Sequence, residues 1–246
     1  MKNKIFKSVI ENIKTIFYAL IIAVIIRSLF FQPFYIPSSS MEPTLLIGDR
    51  IFVSKFTYGY SKHSFPFSPP LFKNRLFKKT PNYGDLVVFK TPADNRTDYI
   101  KRLIGMPGDT IQFKDGNILL NNKQIPRIKV ETVYKIRCGP FLPSVNAYKE
   151  TLPNGKEYIA VYNKKGTVLN TSLFKVPSNH FFFLGDNRDC SKDSRYLSSV
   201  GYVSNENLVG NAKIIFFSND TISGSVLKFW NWKQSLRFER FFSLLK

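Results

Sequence analysis

Cysteine and histidine are scarce in this chain of 246 residues, which contains two of each. Neither a Cys-x-x-Cys nor a His-Glu-x-x-His spacing occurs, so we expect no metal site. Two cysteines are too few for a disulfide framework, and a single Cys138–Cys190 bridge depends on a distance that the sequence does not give. A Ser-His-Asp triad needs a positioned histidine, but His63 lies in an irregular segment and His180 begins an apolar strand. A histidine-based catalytic triad is therefore not expected in this chain.

Acidic residues are also few, at 17 against 36 lysines and arginines, which gives a net charge of +19. Such an excess attracts polyanions, and the two obvious classes are nucleic acid and an anionic membrane surface. A lysine-biased surface with solvated charges gives the same balance. Phenylalanine (24) and tyrosine (12) are abundant, which favours a body rich in β-strands.

One long apolar run lies near the N-terminus, over residues 16–34, and Arg27 interrupts it after Ile26. A helix of that length would rise about 28 Å, close to the hydrocarbon thickness of a bilayer. A cleaved secretory signal and a buried helix of a soluble protein are the alternatives, but the bulky residues 31–37 offer no small-x-small cleavage site. We predict a transmembrane anchor over 16–34. Four lysines precede the run, so residues 1–15 are predicted to be cytoplasmic.

Beyond Pro37, short apolar runs alternate with turn residues, as in β-rich proteins. We predict strands at Ile51–Phe56, Leu86–Phe89, Tyr99–Ile104, Ile111–Phe113, Ile118–Leu120, Phe181–Leu184 and Ala212–Phe217. Asp115-Gly116 should turn a hairpin. The polar, turn-rich residues 124–176 are interpreted as a small β insertion without chemistry of its own.

The predicted fold class is therefore mostly β, with one N-terminal transmembrane helix. The catalytic β domain is expected over residues 35–123 and 177–222, on either side of the insertion. The tail, residues 223–246, mixes aromatic with basic residues. That mixture fits a segment at a membrane interface or an amphipathic helix packed on the body.

Three segments carry the functional signal: PSSSMEPTL (37–45), DYIKRLIGMPGD (98–109) and GDNRDCSKDSR (185–195). Each alone is typical of an ordinary loop, an exposed strand or a turn. Together, in this order and behind an anchor, they resemble the bacterial type I signal peptidase (leader peptidase) family. Members of that family are membrane-bound serine endopeptidases that use a Ser/Lys dyad to remove signal peptides from exported preproteins.

The resemblance assigns roles to individual residues. It implies that Ser40 is the nucleophile, that Lys101 is the general base, and that Ser38 donates to the oxyanion together with the Ser40 backbone N–H. In the third segment it implies that Ser191 lies beside the lysine amine. Asp193 and Arg195 match the residues that brace this loop. The family usually has Asn where this chain has Cys190, so a polar contact there is expected to be lost or replaced.

The chemistry of the dyad is physically sound. A serine hydroxyl is a weak nucleophile and needs an adjacent base. A lysine can be that base only if its ammonium loses a proton near neutral pH, and burial in apolar surroundings lowers its pKa. Lys101 lies in a strand between Ile100 and Leu103, which fits such burial.

The resemblance also implies a substrate that binds as an extended strand, with a small-x-small (Ala-x-Ala-like) motif before the cut. The matching substrate-binding residues are Phe34, Ile36, Pro37, Met41, Leu45, Tyr99 and Ile100. No metal or organic cofactor is implied.

The expected partners are preprotein signal peptides and the lipid bilayer, with no nucleic acid; the oligomeric state stays open. The expected location is the bacterial inner (cytoplasmic) membrane, crossed once, with the catalytic domain on the outer, periplasmic side. Two rival functions have distinct signatures. A self-cleaving transcriptional repressor with a Ser/Lys dyad would begin with a soluble helix-turn-helix. A membrane-tethered binding protein would need neither the Ser40–Lys101 pair nor the third segment.

Overall fold

The computed structural model describes residues 2–70, 74–132, 134–164, 167–220, 230 and 232–245. The chain opens with one helix, α1 (Lys2–Leu29), of which Phe6–Leu29 is long and apolar enough to cross a membrane and is not buried within the protein. The predicted end of the anchor at Phe34 is wrong, because Phe31–Tyr35 forms strand β1. Pro33 explains the difference, since proline lacks an amide hydrogen and disfavours helical backbone in the residue before it.

The main sheet has eight strands, and all of its pairings are antiparallel. Its order is β1-β2-β14-β3-β4-β12-β13, and β15 pairs with β14. After β1 its strands are β2 (Asp49–Ser54), β3 (Leu86–Lys90), β4 (Asp98–Gly105), β12 (His180–Leu184), β13 (Val203–Ser204), β14 (Leu208–Ser218) and β15 (Ser243–Leu244). All the predicted strands of the catalytic domain are present, with ends shifted by a few residues.

Strand β3 is the centre of this sheet and is buried on both faces. Leu86 and Val88 pack in one core cluster with Ile51, whereas Val87 and Phe89 pack in another. This double burial explains why its sequence is apolar from Leu86 to Phe89 rather than alternating.

Two smaller antiparallel sheets complete the body. One has the order β11-β5-β6-β7, with β5 (Thr110–Lys114), β6 (Asn117–Leu120), β7 (Lys123–Gln124) and β11 (Phe174–Lys175). The hairpin predicted at Asp115-Gly116 joins β5 and β6. The other sheet lies within the predicted insertion and has the order β10-β9-β8, with strands β8 (Arg127–Val130), β9 (Val145–Thr151) and β10 (Glu157–Asn163). The predicted bounds of 124–176 do not match it, because β11 pairs with β5 instead.

The described part of the tail packs on the body as a short helix, α2 (Trp232–Ser235), a loop and strand β15. Arg240 donates to the buried carboxylate of Asp49 at 2.6 and 3.1 Å, and Leu244 pairs with Ile214. It is therefore not one amphipathic helix. Residues 223–229, 231 and 246 of the predicted tail lie outside the described residues.

Candidate active site

Ser40 and Lys101, 61 residues apart in sequence, meet in the structure. Ser40 lies in a 3-10 turn over Ser39–Met41, and Lys101 lies in β4. The Lys101 Nζ is 2.6 Å from the Ser40 Oγ. Both residues are buried: 8% of the surface of Ser40 and 4% of the surface of Lys101 are exposed. A buried amine in direct contact with a serine hydroxyl is the arrangement that nucleophile activation by lysine requires.

The surroundings of Lys101 favour its neutral form. Burial lowers the pKa of Lys101 from 10.5 to about 8; Asp193 and Asp186 oppose this shift, and Arg195 adds slightly to it. The Nζ also donates to the Ile100 carbonyl at 3.1 Å. The lowered pKa makes the free amine accessible near neutral pH.

The loop at 185–195 fixes the turn that carries Ser40. The Asn187 backbone N–H donates to the Ser40 carbonyl at 3.2 Å, and its side-chain amide donates to the Ser39 carbonyl at 3.1 Å. A side chain at Gly185 would begin 2.5 Å from the Ser40 carbonyl oxygen and 2.2 Å from the Ser191 Oγ. Only glycine lets the two segments approach this closely.

Asp193 and Arg195 come together inside this loop, as the sequence predicted. The buried Asp193 carboxylate accepts the Gly185 N–H at 3.0 Å and two bonds from the Arg195 guanidinium at 2.8 and 2.9 Å. The same guanidinium donates to the Arg188 carbonyl. These bonds hold the loop in one shape.

The two predicted supporting hydroxyls, those of Ser38 and Ser191, have different surroundings in the structure. The exposed Ser38 Oγ lies 3.4 Å from the Ser40 Oγ, beside the place where an oxyanion would form. Ser191 is buried, but its Oγ has no hydrogen-bond partner among the described residues. The Lys101 Nζ donates to the Ser40 Oγ and the Ile100 carbonyl, and no hydrogen bond joins it to Ser191 in the described part of the chain.

A cavity of about 430 Å³ opens from the dyad between β1 and β4. Strand β1 pairs only with β2 among the described strands, and residues 98–101 of β4 pair only with β3. Both strands therefore offer unpaired backbone groups along the cavity, which can bind an extended peptide by strand addition.

Five of the predicted substrate-binding residues line this groove and two do not. The lining includes Phe34, Ile36, Pro37, Tyr99 and Ile100. Met41 and Leu45 are instead packed in the core with Ile51 and Val53, and 1% and 0% of their surfaces are exposed. Their assignment to the groove was wrong, because an apolar side chain after a turn fits a core as well as a pocket.

Sequence reasoning missed a buried ion pair behind the dyad. Arg102, the residue after Lys101, points to the opposite face of β4 and binds Asp186 through its Nε and Nη2 at 2.8 and 2.7 Å. Both side chains are almost fully buried, and Thr44 donates to the same carboxylate at 2.5 Å. An arginine directly after Lys101, and therefore on the opposite face of the strand, was the signal that could have found it.

The insertion is bonded to the active-site loop at three places. Arg188 of the loop binds Glu150 of β9 through two hydrogen bonds, at 2.8 and 3.1 Å. Cys190 of the loop is disulfide-bonded to Cys138, which settles the pairing that the sequence left open. The Asn187 side chain also donates to the Arg137 carbonyl at 3.1 Å. The insertion thus supports the site, although it was expected to have no part in its chemistry.

A family model and two full-length relatives identify one family. Residues 9–217 match the family described as signal peptidase, peptidase S26. Signal peptidase I of Rickettsia conorii is 42% identical over 244 residues, covering 92% of this chain and 89% of the relative. Signal peptidase I of Rickettsia typhi is 41% identical over 258 aligned positions, covering 97% and 95%. A crystal structure of a signal peptidase I from Enterococcus faecalis V583 is 25% identical, covers 54% of this chain and 97% of that one, and has a TM-score of 0.32.

Proposed function

The chain belongs to the signal peptidase I family, peptidase S26, and on that basis we propose that Ser40 is its nucleophile and Lys101 its general base. The protein is thus a serine peptidase whose substrates are preproteins. The observation that carries the assignment is the 2.6 Å contact between the Ser40 Oγ and the Lys101 Nζ in a buried site.

Acylation begins when the Ser40 Oγ attacks the carbonyl carbon at the cleavage site and its proton passes to the Lys101 Nζ. The Ser40 backbone N–H and the Ser38 hydroxyl donate to the negative oxygen of the tetrahedral intermediate. When this intermediate collapses, the C–N bond breaks and the Lys101 ammonium returns the proton to the departing amine of the mature protein. The signal peptide remains as an ester on Ser40.

Deacylation uses the same two residues. The neutral Lys101 amine takes a proton from a water molecule as its oxygen attacks the ester carbonyl. Collapse of the second intermediate breaks the ester bond and returns a proton to the Ser40 oxygen. The products are a signal peptide with a free carboxylate and an unmodified enzyme.

The preprotein segment binds as an extended strand between β1 and β4, where the unpaired backbone groups lie. Side chains of its small-x-small motif face Phe34, Ile36, Tyr99 and Ile100, which line the groove. Apolar walls that close around small side chains exclude bulky ones by steric clash. We expect cleavage directly after the second small residue.

The finer location follows from the charge and apolar surface of the chain. Helix α1 crosses the bacterial inner membrane once, with the N-terminal lysines in the cytoplasm and the catalytic domain on the periplasmic side. A row of apolar side chains continues from the anchor across the sheet, since Pro33, Phe52, Ile214 and Leu244 are register partners on four strands. This row supports a bilayer contact beyond the anchor.

A cleavage assay tests this proposal. The full chain in detergent is incubated with a purified preprotein, and the product is identified by N-terminal sequencing. We expect a new N-terminus directly after a small-x-small motif, with no product from Ser40→Ala. Undiminished cleavage by Ser40→Ala would remove Ser40 from the mechanism.

A further inference from the structure

A second cavity, of about 510 Å³, lies next to the substrate groove and shares Phe34 and Asp98 with it. Four cationic side chains line it: Arg27, Lys62, Lys90 and Arg96. The proposed cleavage reaction uses none of them. Peptide cleavage therefore does not account for the positive charge of this cavity.

The positive charge of this cavity is only partly neutralised. Its two carboxylates are already engaged: Asp98 pairs with Lys90 at 2.8 Å, and Asp94 accepts hydrogen bonds from its own loop. In the described part of the chain, Arg27, Lys62 and Arg96 have no carboxylate at ion-pair distance. With four cationic side chains against the two carboxylates of Asp94 and Asp98, the cavity keeps an excess of positive charge, which attracts an anion.

A buried histidine at the wall of the cavity also lies in a positively charged environment. The side chain of His63 lines the cavity and is buried; its Nδ1 pairs with the Ser68 Oγ at 2.9 Å, and its Nε2 has no partner among the described residues. Burial, with a smaller contribution from the nearby charges of Lys62 and Lys90, lowers the pKa of His63 to about 4. The wall thus holds a neutral imidazole with an unused nitrogen, in a positive potential.

The position of the cavity indicates the source of the anion. Arg27 lies two residues before the end of α1, at Leu29, where the membrane helix leaves the hydrocarbon. Phe67 on the cavity rim is fully exposed, and exposed aromatic residues at this level are typical of a membrane interface. Phosphate groups of phospholipids occupy the same level, and guanidinium groups bind them in a bidentate manner.

We propose that this cavity binds the phosphate headgroup of an anionic phospholipid, held by Arg27, Lys62 and Arg96 with His63 at its wall. A lipid in this place stands beside the substrate groove, against the shared residues Phe34 and Asp98. The proposal concerns lipid binding and does not depend on the roles of Ser40 and Lys101.

Native mass spectrometry of the full chain in a neutral detergent tests this site. Phosphatidylglycerol, phosphatidylcholine and inorganic phosphate are titrated separately. We expect retention of phosphatidylglycerol at low stoichiometry, much weaker retention of phosphatidylcholine, and no displacement of phosphatidylglycerol by equimolar inorganic phosphate. The double variant Lys62→Gln/Arg96→Gln should lower phosphatidylglycerol affinity roughly 30-fold, since each basic residue near a lipid surface contributes substantially to binding.

The matched control is Lys114→Gln/Lys123→Gln, which removes two exposed lysines from the β5–β6–β7 sheet and changes the net charge equally. It should bind phosphatidylglycerol as the unmodified chain does. Equal losses of lipid affinity in both double variants would show that only the overall charge matters, and would overturn the proposed site. Unchanged phosphatidylglycerol binding by the cavity variant would also overturn the proposed site, even if the KM of that variant for a preprotein rises. Displacement of the lipid by equimolar inorganic phosphate would overturn the site as well.

Discussion

Arg188 and Glu150 form a buried ion pair that ties the loop carrying Ser191 to strand β9 of the insertion. Two hydrogen bonds, at 2.8 and 3.1 Å, join the guanidinium to the carboxylate, and 1% of each side chain is exposed. Tyr158 and Tyr162 donate to the same carboxylate at 2.6 and 2.5 Å. The insertion is therefore a structural support of the active site.

Glu150→Gln should destabilise the protein strongly, because it leaves the Arg188 guanidinium buried without a counter-charge. We expect a loss of about 3–5 kcal/mol in the free energy of unfolding, measured by denaturant unfolding in detergent. Glu157→Gln is the control, since Glu157 of the neighbouring strand forms an exposed pair with Lys149. That variant should change stability by less than about 0.5 kcal/mol. Similar unfolding midpoints for the two variants would show that the buried pair has no special role.

The Cys138–Cys190 bridge predicts a response to reductant. It closes a segment of 52 residues, and loss of such a link typically costs about 2–4 kcal/mol. Reductant should lower the unfolding temperature of the wild-type chain to that of Cys138→Ser/Cys190→Ser and leave this double variant unchanged. Because Cys190 lines the groove, we also expect KM for a preprotein to rise. Two titratable thiols in the untreated protein would contradict the bridge.

The groove predicts a strict limit on substrate size. A preprotein with phenylalanine in place of alanine directly before the cut should not be cleaved, since the proposed subsite takes small side chains. Replacement by glycine should cost only about 10- to 200-fold, because a missing methyl group is worth about 1–3 kcal/mol. The ratio of kcat/KM values for the three substrates measures this. Equal cleavage of the alanine and phenylalanine substrates would mean that no such wall exists.

The lowered pKa of Lys101 predicts the direction of the pH dependence. The general base works in its neutral form, so kcat/KM should rise with pH, about tenfold per unit below the pKa, and level off above about 8. An unperturbed lysine would move this transition to about 10.4. Initial rates of preprotein cleavage between pH 6 and about 10 locate it. A profile that is flat from pH 6 upwards would exclude Lys101 as the titrating base.

Recognisable motifs in the sequence predicted which of the site residues lie together. Ser40, Lys101, Asp193 and Arg195 lie in contiguous segments with characteristic neighbours, and the structure brings each pair into contact. Glu150 was missed, because it lies 38 residues from Arg188 in a segment without a motif, and only the fold brings the two together.

The errors have equally local causes. Met41 and Leu45 were assigned to the groove because apolarity does not tell which way a side chain points. The anchor was extended to Phe34 because hydropathy alone does not distinguish the end of a membrane helix from an apolar strand. Pro33 was the residue that could have marked the boundary.

The most direct test of the dyad is the turnover of Lys101→Arg with a purified preprotein at saturating concentration. Arginine keeps the positive charge at the end of a long, flexible side chain, but it cannot lose a proton in the working pH range. If Lys101 is the base, turnover should fall by roughly 10⁴-fold or more, as it should for Ser40→Ala, and the double variant Ser40→Ala/Lys101→Arg should be little worse than either. If Lys101→Arg keeps more than about a tenth of wild-type turnover, Lys101 serves only as a positive charge and the proposed mechanism is wrong.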